Sequence, residues 1–266
     1  MDKGEMERPG TGFYRQMDAQ AYRETINTPA RNPEYFARFH KPMVERAKQK
    51  FGTPVHVLDI ACGPAFELDF LKDDKDLRLI ASDISPKILE EARSRIGNNA
   101  VFFEMDARSP ELRLNSIEAG ILVNAVIYIP DKMLETMFKA LRPGGECAVN
   151  FRLYDNPYNR PLFDHHVQRN GKIIDQELNV KGRTEPFRMK TLDHAERITE
   201  DGTPDEKIRG LGQQTYFQSI ADVEELIRLI GFEIVEHSKF NFASPANPDN
   251  QIDVFILRKP EEAPAG

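Results

Sequence analysis

Five short apolar runs, separated by stretches with helical spacing and followed by two runs with no helix between them, constrain this chain more than any other feature. The first five are Val55 to Leu58, Leu77 to Ala81, Ala100 to Phe103, Gly120 to Asn124 and Glu146 to Phe151. Short buried strands that alternate with amphipathic helices form a parallel sheet covered by helices. The last two runs, "FEIVEHSKFNF" and "QIDVFILRKP", are joined only by "ASPANPDN", which leaves no room for a crossover helix, so they pair antiparallel. The expectation is an α/β fold: a seven-stranded, mostly parallel sheet with helices on both faces, a terminal antiparallel hairpin, and an inserted cap between the fifth strand and the last helix.

The helix ends are readable. Ser85 is an N-cap with Pro86 at the first helical position, and Ile88, Leu89, Ala92 and Ile96 share one face. A helix after Pro130 carries Leu134, Met137, Phe138 and Leu141 at helical spacing and stops at "RPGG". Asn32 and Pro33 open a helix with Phe36, Phe39, Met43 and Ala47 on one side, which Pro42 should kink or interrupt. Ser219 caps a helix whose stripe is Val223, Leu226, Ile227 and Ile230, and Gly231 ends it. The stretch "VHVLDIACGPAFELDF" reads as a strand, a small-residue turn and the start of a helix.

These boundaries divide the 266 residues into an N-terminal arm or lid (1–32), a main domain (33–151 and 216–260), an inserted cap and substrate region (152–215) and a disordered tail (261–266). The formal net charge of -7 disfavours a nucleic-acid partner, and the segment Phe151 to Thr215 holds 11 Lys/Arg against 11 Asp/Glu, so no basic excess is concentrated there. No apolar run approaches the roughly 20 residues of a membrane helix. "MDKGEMERPGTG" has no apolar stretch of the kind a signal peptide needs, which points to a cytoplasmic protein with neither membrane nor nucleic acid as partner. Two cysteines, Cys62 and Cys147, make neither a disulfide framework nor a zinc site, and no metal is expected.

Ligands of open parallel sheets bind beyond the carboxyl ends of the strands, where the strand order reverses. Three acids fall there. Asp59 ends the first strand, Asp83 follows 24 residues later at the end of the second, and Asp106 another 23 residues later after the third. An acid after the second strand can accept both hydroxyls of a ribose, and one after the third can accept from the exocyclic amine of adenine. The G-x-G-x-x-G spacing of a nicotinamide site is absent.

In these motifs the chain resembles the class I, Rossmann-like S-adenosylmethionine-dependent methyltransferases, from about Tyr35 to Pro260. "DIACGPA" is similar to the family's first motif, "ASDISPKILEEAR" to the second, "FFEMDA" to the third, and "GILVNAVIYIPD" to the fourth-strand segment. The resemblance implies S-adenosylmethionine as cofactor and S-adenosylhomocysteine as product. It implies Asp59 near the cofactor's ammonium, Ala61 and Gly63 in the turn beneath it, Asp83 with Ile84 at the ribose, Asp106 and Ala107 at the adenine, and Asn124 facing the methionine part. It also implies an aromatic lid from the arm, Tyr14 or Tyr22. Alanines 61 and 65 depart from the family's glycines, so either they are not left-handed or the turn has shifted.

Methyl transfer from a sulfonium is an in-line displacement that rests on positioning. Attack by oxygen or by a protonated amine also needs a base, for which His165 or His166, beside Asp164, is the first choice, with His194 behind them. Arg152, Arg160, Tyr154 and Tyr158 are either pocket lining, with arginine available to a substrate carboxylate or phosphate, or surface residues. The functional expectation is methyl transfer to an oxygen or nitrogen of a small-molecule acceptor. A cofactor-binding protein without turnover, or an enzyme doing other chemistry on the cofactor, is the alternative.

Overall fold

Val55–Ile60 forms β1, and its alternating side chains already define two cores: Val55 and Val57 enter one cluster, Leu58 and Ile60 the other. The computed structural model describes residues 31–108, 110, 112–127, 129–160, 163–164, 167, 172–193, 214–242 and 251–261. Tyr14, Tyr22, His165, His166 and His194 lie outside these residues. The remaining strands of the main sheet are β2 (Leu77–Asp83), β3 (Ala100–Glu104), β4 (Ile117–Leu122), β5 (Leu141–Phe151), β9 (Glu233–Asn241) and β10 (Gln251–Arg258). Their order is β3-β2-β1-β4-β5-β10-β9, with only β10 and β9 antiparallel to their neighbours. The strand order reverses between β1 and β4, which puts the switch point above Asp59.

Helices α1 (Lys41–Phe51), α2 (Pro86–Ile96), α3 (Pro130–Ala140) and α4 (Ile220–Ile230) carry the apolar stripes that the spacing predicts. Ser85 and Ser219 cap α2 and α4 through their hydroxyls, and Gly231 ends α4 in the left-handed region at φ 108. Pro42 does not break its helix. Pro33–Tyr35 and a π-helical stretch, Phe36–His40, lead into α1, with Lys41 N–H donating to Phe36 O. Proline lacks the donor for the normal ladder and its ring crowds the carbonyl four residues back, and a widened turn relieves both. Two sequence expectations need correction. Between β1 and β2 the chain forms only a 3-10 turn, Leu68–Phe70, instead of a helix. The "RPGG" stretch belongs to β5 and lies beyond the end of α3.

The segment between β5 and α4 builds a second, antiparallel sheet of β6 (Lys172–Leu178), β7 (Phe187–Asp193) and β8 (Gln214–Phe217), in that order. The boundary expected at 216 therefore falls inside β8. Phe187, Met189 and Phe217 join the core over β5, while Leu192 and Tyr216 pack with Phe163. Two backbone bonds tie this sheet to the carboxyl ends of the main one: Thr215 N–H to Ile127 O at 2.6 Å and Tyr154 N–H to Phe217 O at 2.9 Å. Glu261, expected to begin a disordered tail, reaches Lys50 Nζ at 2.5 Å.

Gly120 in β4 has no room for a side chain, since an added Cβ would lie 2.3 Å from Met137 Sδ and 2.9 Å from Cys147 Cβ. Gly120→Ala is expected to destabilise the protein by about 1–3 kcal/mol through overpacking between β4 and α3. Urea unfolding with an unchanged m-value checks this.

Candidate cofactor and acceptor site

Asp59 and Asp83 occupy the carboxyl ends of adjacent strands and are both buried. Asp83 is the better anchored. Oδ2 accepts from Gly63 N–H and Oδ1 from Ser85 N–H, each at 3.0 Å, so one side chain joins the turn after β1 to the start of α2. Burial raises its pKa, while these backbone donors oppose the rise. Each carboxylate oxygen has two lone pairs, so the edge that anchors the turn can still accept hydroxyl donors from a ribose. Ile84, half-buried, flanks it.

The turn resolves the question its alanines raised: they are left-handed. Ala61, Gly63 and Ala65 have φ of 55, 54 and 56. Each alanine costs on the order of 1 kcal/mol relative to glycine in this conformation. The amides of the turn are largely spent within the protein. Cys62 N–H donates to Ser82 O, Gly63 N–H to Asp83 and Ala65 N–H to Cys62 O, and Pro64 has no donor.

Electrostatically the rim above β1 is short of positive charge. Asp59 Oδ2 is fully buried without a hydrogen-bond partner. Burial first, then the charges of Glu67 and Asp83, raise its pKa well above the carboxylate range. Glu67, buried in the loop after the turn, is pushed up to about 8 by desolvation. On the helical side, Tyr35 Oη and both ring nitrogens of His40 are buried and unpartnered. Desolvation and the Glu67 charge raise the Tyr35 phenol, and burial lowers His40 to about 3. Among the described residues no group of three His, Cys, Asp or Glu is arranged to hold a metal. The arrangement fits a cationic organic ligand, whose charge would ionise the carboxyls and supply the missing partner of Asp59.

Asp106 follows β3 and is gripped by Arg108: the Arg108 amide and Nε reach Oδ1 at 2.9 Å, Nε reaches Oδ2 at 2.9 Å, and Nη2 also bonds Oδ2. The pair fixes the carboxylate's plane and balances its charge. Ala107 is buried beside it and accepts from Thr136 Oγ1 on α3 at 2.8 Å. Asn124 lies two residues past the end of β4 in the left-handed region, φ 54, a conformation asparagine tolerates. It forms a reciprocal pair with Asn150 of β5: Asn124 N–H to Asn150 Oδ1 at 2.7 Å, and Asn150 Nδ2 to Asn124 Oδ1 at 2.9 Å.

Of the residues expected at the acceptor, Arg160 pairs with Asp164 on the surface and Tyr158 is exposed. Tyr154 and Arg152 are half-buried at the end of β5. The residues that sequence reasoning missed are Asn150, Glu67 and Arg108. Asn150 was legible as a polar residue inside the apolar run "ECAVNF"; Glu67 had no such signal, because one acid in an irregular loop carries no pattern.

The buried acids make stability pH-dependent. Glu67 and Asp59 stay protonated in the folded state after their unfolded counterparts ionise near pH 4, so stability falls as pH rises from there through about 8. His40 acts in the opposite sense, its contribution being lost as pH falls from 6.5 towards 3. Above pH 6.5 only the acids contribute to the slope. The melting temperature of the cofactor-free protein is expected to fall between pH 6.5 and 8, and Glu67→Gln should flatten that fall. Parallel curves for the two proteins would show that Glu67 is already ionised.

Comparison with known proteins agrees with this fold. Residues 57–145 match a family model described as a methyltransferase domain. No curated protein matches the chain at a significant level. Among solved structures, an S-adenosylmethionine-dependent methyltransferase from Methanosarcina mazei is similar with a TM-score of 0.57 and 14% identity, over 83% of this chain and 98% of that one. Magnesium protoporphyrin IX methyltransferase from Synechocystis, solved with S-adenosylhomocysteine, gives a TM-score of 0.58 and 11% identity, over 94% and 97%. The 1,6-didemethyltoxoflavin-N1-methyltransferase of Burkholderia thailandensis gives 0.51 and 13%, over 92% and 91%. The chain thus shares the Rossmann-like α/β fold of these structures, and its residues 57–145 are similar to a methyltransferase domain.

Proposed function

We propose that this protein transfers a methyl group from S-adenosylmethionine to an oxygen or nitrogen of a small-molecule acceptor. The observation that carries the reading is the row of acids at the carboxyl ends of β1, β2 and β3, with Asp59 buried and unpaired at the switch point. When bound, the cofactor supplies an electrophilic methyl on a sulfonium. Asp83 holds the ribose, Asp106, oriented by Arg108, receives the adenine amine, and Asp59 with Glu67 meets the positive end. The Asn124–Asn150 pair borders the methionine part and fixes the ends of β4 and β5 relative to each other. Tyr14 or Tyr22 is proposed to close over the cofactor.

A small acceptor is favoured by the second sheet, which roofs the ends of β4 and β5 at backbone hydrogen-bond distance, and by an acidic chain. Relatives in fold include the toxoflavin-precursor and magnesium protoporphyrin enzymes, whose acceptors are small molecules. For the base we propose His165 or His166. Phe163, just before them in sequence, is fully buried against Tyr154 and Tyr216 beside β5, which ties this segment to the acceptor side. The protein's residues act chiefly by positioning, which can supply roughly 7–11 kcal/mol.

Hydrogen bonds to a charged acceptor are worth about 1.5–3 kcal/mol, so Asp83→Ala is expected to weaken S-adenosylhomocysteine binding at least tenfold by calorimetry. Because Asp83 also holds Gly63 and Ser85, the variant's fold is checked by circular dichroism. Unchanged affinity in a folded variant would move the nucleoside site elsewhere. A binding protein without turnover would bind S-adenosylhomocysteine equally well, yet release none from S-adenosylmethionine with any acceptor.

A further inference from the structure

We propose that Arg152 anchors an oxyanion, a carboxylate or a phosphate, carried by the methyl acceptor. The proposal rests on the methyltransferase reading above and adds the chemical class of the substrate.

Arg152 is the residue after β5 and is half-buried. Its Nε is fully buried without a hydrogen-bond partner. Among the described residues no carboxylate lies within ion-pair distance of it, and, unlike Arg78 and Arg93, which also lack one, its guanidinium bonds no backbone carbonyl. A guanidinium drawn out of water without a counter-charge is costly, and the structure keeps this one in place. Tyr216, fully buried in β8, gives its hydroxyl proton to Gln214 Oε1 at 2.7 Å; burial raises its phenol, and the nearby Arg152 charge opposes the rise. The Phe242 ring lies 6.0 Å from the guanidinium carbon. The guanidinium thus sits beside Tyr216 and Phe242 while its buried Nε has no acceptor, the pattern of a planar donor set held for a ligand.

Position separates this group from the cofactor. The methionine end belongs over β1 and β4, at Asp59 and Asn124. Arg152 stands at β5, the second strand from β1, roughly 10 Å away at the usual strand spacing. It is also on the side roofed by β8, where Tyr154 N–H bonds Phe217 O. The unpartnered carboxyl above β1, which a cation would ionise, and the unmet positive charge at β5 call for ligand groups of opposite sign in adjoining places.

The test uses benzoate and phenyl phosphate as probes and benzamide as the neutral match, titrated by NMR into the full chain with and without saturating S-adenosylhomocysteine. The wild type is expected to bind one of the anions at least fivefold more tightly than benzamide, and the better anion identifies the group. Arg152→Met should abolish that preference, Arg152→Lys should keep part of it, and affinity for S-adenosylhomocysteine should change less than twofold in both. Arg152→Met should also melt no lower than the wild type without ligand, because it removes an uncompensated charge. An anion preference that survives in Arg152→Met, or a wild type without one, overturns the proposal. So does a tenfold loss of S-adenosylhomocysteine affinity in the variants, which would assign Arg152 to the cofactor. A wild type that binds anions through Arg152 but no S-adenosylhomocysteine would instead overturn the proposed function and leave the anion site standing.

Discussion

The rim depends on one carboxylate that belongs to two elements. Asp83 ends β2, yet its oxygens hold the amide of Gly63 in the turn after β1 and the amide of Ser85 at the cap of α2. Without this bridge the turn at residues 61–65 would have to hold three left-handed residues, two of them alanines, with no helix after it to fix its direction. Strain of this kind persists only where the surroundings over-determine the conformation. Here the surroundings are Asp83 on one side and Ser82 O, which receives Cys62 N–H, on the other. The same carboxylate is the one proposed to meet the ribose, so cofactor recognition and turn geometry share one group.

Charge is distributed along the rim in a way that folding alone does not explain. Asp59 and Glu67 are buried acids that disfavour each other's ionisation. Arg152 is a cation with a buried donor left over. A core built only for stability would pair such groups or replace them with apolar ones, since a buried polar or charged group without a partner is costly. Elsewhere in this chain that pairing is done: Glu118 is shared by His56 and Arg142, and Glu146 by Arg46 and Arg258. The unpaired groups gather at the carboxyl ends of the strands, the paired ones at the other end of β4 and β5.

Most of the main sheet was legible in the sequence because its strands are largely buried and its helices begin at Ser-Pro, Pro and Ser signals, of which the two serines cap in fact. The order of the acids was legible too, since strand ends in this architecture converge on one edge. What escaped followed from tertiary context. The stretch after Pro64 has apolar residues, Phe66, Leu68 and Leu71, compatible with a helix, but it folds as irregular turns that bury Glu67. Pro42 looked like a break because the normal ladder was assumed, and a π turn provides a different one. Ala61 and Ala65 looked unsuited to positive φ on local grounds, and long-range bonds from β2 overrule them. The second sheet was invisible as strands because β6 is largely exposed and lacks an apolar run, although the length of the insertion announced a separate unit.

That second sheet explains how a site assembled from several loops can hold the tolerance that the proposed methyl transfer requires. In-line displacement loses rate steeply when the acceptor is misplaced by an ångström. The loop after β4, which carries Asn124, is bonded through Ile127 O to Thr215 in β8, and the segment after β5, which carries Arg152, is bonded through Tyr154 N to Phe217 in the same strand. Within β8, Tyr216 lies between those two bonds, close to the arginine. Asn124 and Asn150 then close the loop-to-strand gap from below. Groups assigned to the cofactor and to the acceptor are thereby referenced to one short strand, so a displacement of the roof moves both together and changes their separation little.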